Sequence, residues 1–527
     1  MTDDYTFAPF LEWRDRVDWY ADDPFLQRVL RHFAGDDWEA VDAAARGISP
    51  MVSGRWGRLA EEAARPEKRP SVLHYDGHGN RIDRIQRPLE TWILEAEIFS
   101  LGLFSRSTPM WSRLVQLLLI YQNGEACIAC PLVCTEGLIA LLERFADRDE
   151  TRAILEHCRE GRDGGFAIGA QYLSEIQGGS DVPANIVEAV PDGDAWRLYG
   201  PKFFCSATHA DYAVVTARPR GSDEIGLFVM PSWVDPDREQ RNGFTVDRIK
   251  WKMGTSELTT AEITLDGARA YQVGPLDRGV ANVTGIVLTT SRLTVGLSSA
   301  ANMLRAVREA RAYAEFREAF GQPIARYPLV TGQLRRIEHR ARATLVGAFS
   351  VYRDFLRLPD GFRGGLSTDE PDDVRRLRFR VRELVMLQKI VASLDSTDVL
   401  RTAMSIFGGH GIMEDFSALP RLYRDSAINE LWEGPRNVLL TQIHRDLQRV
   451  ASWYPTDAFV RDVLAGAPEA VVGPLARETA ALVAHPSLLT PDEDTIAVAD
   501  RWDRLADALM HTVQDNALRE VEDQRHF

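Results

Sequence analysis

Three groups of residues in this 527-residue chain have the types and spacing that chemistry requires. The first is Glu433, within IFGGHGIMEDFSALPRLYRDSAINELWEGPRN at 406–437, where a glycine turn, an Arg-Asp pair and an aromatic-Glu-Gly step follow one another. That spacing makes Glu433 the best candidate in the chain for a base placed beside a bound cofactor. The other two are YLSEIQGGSDV at 172–182 and GPKFFCSA at 200–207. Their glycines and small hydroxyls let a backbone come close to a flat or anionic ligand, and their aromatic residues offer a stacking wall. Taken singly, Gly178-Gly179 also reads as an ordinary turn and Phe203-Phe204 as core packing.

Other candidates are weaker. Cys127, Cys130 and Cys134 recur at helical intervals that could suggest metal ligands, yet no second Cys or His group with zinc spacing follows, so a buried thiol face is the reading and no metal is expected. Cys205 reads as shielded packing. His410, in the glycine turn, reads as a loop imidazole contacting cofactor or solvent rather than an acid–base group. The run RRLRFRVR at 375–382 reads as a solvated helix face paired with carboxylates.

The elements that must position these groups are legible in the periodicity. Up to about 165 the pattern is helical, notably at 94–104, 114–119 and 136–145, with a turn or short hairpin at 70–88. From 166 to 275 the period switches to two, at 196–199, 212–217, 226–230, 244–249 and 260–265, which predicts a β-rich middle domain. Helical periodicity returns over 276–450, through 288–318, 334–356, 375–407 and 437–450. After a Trp-Tyr-Pro break, 451–527 reads as a helical extension. Helix, then sheet, then helix within one chain predicts an α+β fold, with domains at 1–165, 166–275, 276–450 and 451–527.

Composition is that of a globular protein, 45% hydrophobic and 26% charged, with formal net charge −15. That charge opposes broad attraction to nucleic acid, and the extension alone carries 14 acidic residues against six arginines. The acidic N-terminus lacks the features of a secretory signal, and the strongest apolar stretch, 114–121, is too short to cross a membrane. Five cysteines are an odd number for a disulfide framework. A cytoplasmic protein with no membrane association is expected.

In order and spacing, the three segments resemble the acyl-CoA dehydrogenase superfamily from about Pro88 to Leu447. The resemblance is closest to the AidB-like, alkylation-response branch, through QGGSDV after Ser-Glu, KFFCS, LPRLYRD…WEG and the N-terminal LHYDGHGNRID. It implies an N-terminal helical domain, a β-barrel-like middle domain and a C-terminal four-helix bundle, with FAD held between the last two and completed by a neighbouring subunit, hence a homo-oligomer, dimer or tetramer. Carried over residue by residue, it implies flavin contacts from Tyr172, Leu173 and Ser174 and from Phe204 and Ser206, with the Ser206 hydroxyl near N5. Ser180 matches a serine shared by the FAD diphosphate and the substrate thioester arm. Arg317 and Phe320, in REAFG, match the R-x-x-F-G that reaches FAD across a subunit interface; alone, Arg317 would read as a helix-terminal arginine capped by Gly321. Gly408 and Gly409 match the turn beneath the neighbouring cofactor, and Arg292 an arginine of the helix beside the active site, in reach of substrate.

Glu433 matches the catalytic base. The implied reaction removes the α-proton of an acyl thioester while the β-hydride passes to flavin N5, with hydrogen bonds from a backbone N–H near Glu433 and the ribityl hydroxyl stabilising the enolate. In some members the base lies beside Arg292; Ser291 stands there and cannot serve. Two departures touch the cofactor. Pro435-Arg436 intervene before Asn437, itself carried over as a cofactor contact, where relatives have small polar residues, so Arg436 is expected as a replacement charge partner for the diphosphate. Ser405 stands where many relatives have a glutamine. The resemblance therefore implies an FAD-dependent acyl-CoA dehydrogenase-type oxidoreductase passing electrons to an electron-transfer flavoprotein or another acceptor. Alternatives are an oxidase of another activated C–H substrate on the same scaffold and a DNA-associated alkylation-response flavoprotein, the latter opposed by the acidic extension.

Overall fold

The computed structural model describes residues 5–523 except 163, 236–237 and 366–368; the outer limits of the first and last expected domains fall outside the described residues. The chain divides into two compact units, one formed by 50–291 and 362–366, the other by 1–49, 292–361 and 367–527.

The first of these units is built on a sheet. The expected hairpin is β1 (Ser71–Tyr75) and β2 (Arg81–Gln86), antiparallel around Asp76-Gly77-His78-Gly79-Asn80. Helices α4–α8 (Trp56–Ala63, Leu89–Phe99, Met110–Tyr121, Ala129–Phe145 and Asp149–Glu160) surround it in sequence and carry the expected apolar faces. Strands β3 (Gly169–Tyr172), β4 (Glu188–Asp192), β5 (Ala195–Ser206), β6 (Tyr212–Pro219), β7 (Gly226–Pro231), β8 (Phe244–Ile249) and β9 (Thr260–Gln272) form one seven-stranded sheet. Its order is β3-β6-β4-β5-β9-β7 with β8 on β9, and β7 pairs back to β6, so the sheet closes into a barrel. Val, Ile, Leu and Ala fill the interior, alternating with less buried positions along much of β9, whereas β3, β6 and β7 are buried over consecutive residues.

The β5–β9 ladder loses register between Lys202 and Cys205. A bulge of this kind re-aims side chains. Phe204 accordingly stands 51% exposed, which overturns its reading as core packing.

The other unit is helical. It contains α1 (Ala8–Arg16), α2 (Pro24–Ala34) and most of α3 (Trp38–Pro50), then α10 (Thr289–Phe316) from Arg292 onward, after the short α9 (Gly279–Asn282) of the sheet unit. There follow α11 (Pro328–Leu356), α12 (Asp372–Phe407), α13 (Leu419–Leu431), α14 (Arg436–Val450) and the extension α15–α17 (Thr456–Val463, Glu469–Val483 and Glu493–Asp523). Helix α12 packs on α11, α13, α14 and α17, and α17 also packs on α11. The acidic extension is thus part of the bundle, joined by His339–Asp515 at 3.1 Å, His511–Asp395 at 2.9 Å and Trp502 Nε1 donating to Leu440 O at 3.0 Å.

Two sequence expectations change. The stretch 276–316 is long and apolar enough to cross a membrane, contrary to the expectation that no stretch is, the strongest being 114–121 and too short. Its most apolar window is 78% buried within the protein, as a core helix would be. The arginine run at 375–382 is not a solvated face: Arg378 is buried and chelated by Glu370 and by the Pro359 and Gly361 carbonyls, Arg382 pairs with Asp446 at 2.7 Å, and Arg375 stacks 3.5 Å over Trp453. The carboxylate pairing was expected; the burial was not.

Candidate active site

Glu433 sits in the four-residue connection between α13 and α14, in left-handed backbone at φ 60°, followed by Gly434 at φ 98°. A non-glycine residue there costs on the order of 1–3 kcal/mol and persists only where its surroundings over-determine it. They do so here. Arg292 of α10, itself buried, donates from Nε to Glu433 O at 2.8 Å. Lys389 of α12, with no exposed surface, donates from Nζ to Glu430 O at 3.0 Å and Gly434 O at 2.8 Å. The two cations therefore hold carbonyls before, at and after the turn.

The hold on α13 follows from helical spacing along α12. Lys389, Ser393 and Thr397 recur every four residues and share one face. Thr397 Oγ1 donates to the Glu430 carboxylate at 2.6 Å, and Ser393 Oγ, which donates to Lys389 O at 2.7 Å, also lies 3.3 Å from Asn429 O. The last carbonyls of a helix lack intrahelical partners and carry the negative end of its dipole, so a buried ammonium is well matched to them.

The Glu433 carboxyl is left for other work. Its Oε2 is buried with no hydrogen-bond partner, and among the described residues no cation reaches ion-pair distance of it. Burial pushes its pKa up to about 7, with Arg292 and Lys389 pulling the other way. Lys389 is pushed down to about 7 by burial first and by Arg292 next, against the pull of Glu433 and Glu430. Burial takes Arg292 down to about 10, so it keeps its charge at neutral pH.

In the sheet unit, the two expected flavin segments are tied to each other. Phe203 N donates to Ser174 O at 3.0 Å across them. Lys202 and Glu175, both fully buried, pair at 2.8 Å, and Lys202 Nζ also reaches Leu173 O at 3.3 Å and Thr216 Oγ1 at 3.1 Å. The Glu175 carboxylate accepts from Ile186 N and Val187 N, which fixes the far end of the QGGSDV loop. Its pKa is lowered despite burial, by Lys202 and these N–H groups. Tyr172 is wholly buried, its backbone paired with β6. A Cβ at Gly179 would stand 2.5 Å from the Ser174 hydroxyl and 3.3 Å from its Cβ, so a larger residue there would displace that side chain. Ser206 Oγ lies 3.1 Å from Thr260 Oγ1, Lys250 Nζ sits 3.3 Å over the Phe203 ring, and Ser180 is exposed.

The remaining candidates lie in the helical unit. Arg317 follows α10, and Glu318–Ala319 pairs with Gln322–Pro323 in a hairpin whose apex is Phe320-Gly321, at φ 50° and 86°. Two positive-φ residues make the tight turn that matches strand twist. This replaces the simple helix cap as the account of Gly321. Phe320 is 98% exposed, and the Arg317 guanidinium lies 5.0 Å over the Tyr5 ring. Gly408, at φ 63°, ends α12, and Gly408, Gly409 and Ser405 are exposed. Asn437 is exposed in the first turn of α14.

Three expectations are corrected or filled in. Arg436 is not free for a phosphate: it donates to Asp503 Oδ1 at 2.6 Å, Asp503 O at 2.7 Å and Asp507 Oδ1 at 2.9 Å, all on α17. His410, partly exposed, also belongs to an aromatic cluster, 3.0 Å from Tyr313 Oη and stacked 4.6 Å from Phe416, which the loop reading did not include. All five cysteines are buried thiols outside any disulfide, with Cys130 and Cys134 Sγ 3.7 Å apart, and no metal-binding group of His, Cys, Asp and Glu occurs among the described residues. Ser291 Oγ accepts from Gln171 Nε2 at 3.2 Å and donates to Val287 O at 3.2 Å. The residues that sequence reasoning passed over are Glu175, Lys202 and Lys389. The first two stood inside the quoted motifs; Lys389 had no motif to mark it.

Residues 170–268 match the acyl-CoA dehydrogenase middle domain and 277–448 its C-terminal domain. The chain is 28% identical over 447 residues to acyl-CoA dehydrogenase family member 11 of Caenorhabditis elegans, covering 81% of this chain and 70% of that protein. It is 28% identical over 460 residues to the putative acyl-CoA dehydrogenase AidB of Escherichia coli K12, covering 84% and 80%. The crystal structure of C. elegans ACDH-11 in complex with C11-CoA superposes with a TM-score of 0.79 at 25% identity over 96% of this chain and 91% of that one. The chain belongs to the acyl-CoA dehydrogenase superfamily, whose members are FAD-dependent oxidoreductases, and AidB-like proteins are among its relatives.

Proposed function

We propose that this protein catalyses FAD-dependent α,β-dehydrogenation of an acyl thioester, with Glu433 removing the α-proton. The observation that carries the reading is the Glu433 carboxyl: a partnerless, buried Oε2 on a backbone held by two buried cations, with proton affinity near neutrality. A base of that affinity is ionised at and above neutral pH yet still basic enough to accept a carbon-bound proton. Bound FAD would supply the hydride acceptor, its N5.

The chain's residues fit a flavin. Phe204, turned outward by the bulge, offers an aromatic face, and Ser174 and Ser206 offer hydroxyls beside it; the Lys202–Glu175 pair keeps these segments in register. In this reading Tyr172, Leu173 and Ser174 contribute through their backbone, Arg317, Phe320, Gly408 and Gly409 are offered to the cofactor of a neighbouring copy, and Asn437 is a further cofactor contact. Arg292, spent on Glu433 O, serves substrate indirectly by holding the base, while the exposed Ser180 is read as the contact for the thioester arm. The nearly fully exposed Phe320 supports a second copy of this chain as the partner that completes the site. A four-part domain division at 165, 275 and 450, a cytoplasmic location and an electron-transfer flavoprotein as acceptor belong to the same reading.

The test is the visible spectrum of the purified protein, titrated without oxygen against a panel of acyl-CoAs and nitroalkanes. Flavin bleaching by at least one acyl-CoA is the expected result. A flavin-free protein, or bleaching by nitroalkanes alone, would overturn the reading.

A further inference from the structure

Lys389 occupies an unusual place for a lysine. It has no exposed surface, lies in the middle of the 36-residue α12, and spends its donors on carbonyls rather than on a carboxylate. The two carbonyls bracket Glu433. One ends α13 and the other belongs to Gly434, whose positive φ makes the turn.

A neutral donor could also bond those carbonyls, though more weakly than an ammonium does, so their satisfaction does not by itself require a charge. What the ammonium adds is an opposite charge within the low-dielectric surroundings of Glu433. The groups facing Glu433 are Arg292 from α10 and Lys389 from α12. Those facing Lys389 are Arg292, Glu433 and, from α13, Glu430; those facing Arg292 are Glu433 together with Arg382 and Glu383 of α12. Arg292 is charged at every physiological pH, whereas a lysine buried beside an arginine releases its proton far more readily. Lys389 is therefore the adjustable cation of the cluster.

We propose that Lys389 is the positioning residue of Glu433: by bridging the Glu430 and Gly434 carbonyls it fixes the strained turn, and by its charge it sets the pH at which the Glu433 carboxyl ionises. The proposal rests on the reading of Glu433 as the base, but its test does not. An infrared difference titration of the FAD-bound protein, with the Glu433 carbonyl band identified by its loss in Glu433→Gln, follows the ionisation without any substrate.

Lys389→Gln keeps hydrogen-bond donors for both carbonyls and removes the charge. It is expected to raise the Glu433 midpoint by about one pH unit. Lys389→Arg, with a charge that does not titrate, is expected to leave the midpoint at or below the wild-type value. A midpoint in Lys389→Gln equal to wild type, in a protein that still binds FAD stoichiometrically, would overturn the proposal. If Lys389→Gln does not fold, a midpoint raised in Lys389→Arg overturns it instead. Undiminished flavin reduction by Glu433→Gln would refute the assignment of the base while leaving the infrared result to stand separately.

Discussion

Glu433-Gly434 and Phe320-Gly321 solve the same backbone problem in opposite surroundings. Each is a non-glycine residue at φ 50–60° followed by a glycine at φ 86–98°, and each follows a long helix of the same unit. At Phe320 the turn is local: two residues close a short hairpin, and the side chain is left nearly fully exposed. At Glu433 the turn is held from outside, by Arg292 and Lys389 on two other helices. Strain that is locally inexpensive can be left at a surface for a partner to cover. Strain that carries a reacting group is pinned by buried charge, and the same charge adjusts that group's proton affinity.

The largest effect should come from the group that the second turn carries. Glu433→Gln is expected to retain FAD and lose about 10²–10⁴-fold in the rate of substrate-dependent flavin reduction, measured by anaerobic stopped flow. Next come the glycines. A Cβ on Gly434 would lie 3.0 Å from Leu439 Cδ2 and 3.5 Å from Arg292 Nη2, whereas one on Gly321 meets nothing within 4 Å. Gly434→Ala should therefore cost about 2–4 kcal/mol in denaturant unfolding, strain and crowding together, and Gly321→Ala about 1 kcal/mol from backbone strain alone. Equal costs would erase the contrast between the two turns. The smallest effect on stability belongs to Phe320→Ala, expected within about 0.5 kcal/mol. Its consequence should appear instead as weaker self-association in analytical ultracentrifugation.

Much of this was legible before any coordinates. Strand β8 occupies the span that alternation marked, and the helices on either side of the sheet follow their apolar spacing. Taken singly, Phe203-Phe204 also read as core packing, and the exposure of Phe204 beside the bulge after Lys202 had no local signal to mark it. Arg436 was assigned to a phosphate because its aspartate partners lie 67 and 71 residues away, beyond any local pattern. Lys389 was passed over for a related reason. A lone lysine in a helical stretch resembles a surface charge until α13 is seen to end against it. The acidic extension, weighed only as a deterrent to DNA, has a positive structural role, since Asp503 and Asp507 secure the residue that begins α14.

The pH dependence of flavin reduction tests the central claim most directly. With proton affinity near neutrality, Glu433 is protonated and inactive as a base below about pH 7 and ionised above it, so the rate at low acyl-CoA concentration should rise with pH through a midpoint near 7. In Glu433→Gln the rate should be far lower and lack that rise. A Glu433→Gln protein that reduces its flavin at the wild-type rate, or with the wild-type pH dependence, would contradict the account.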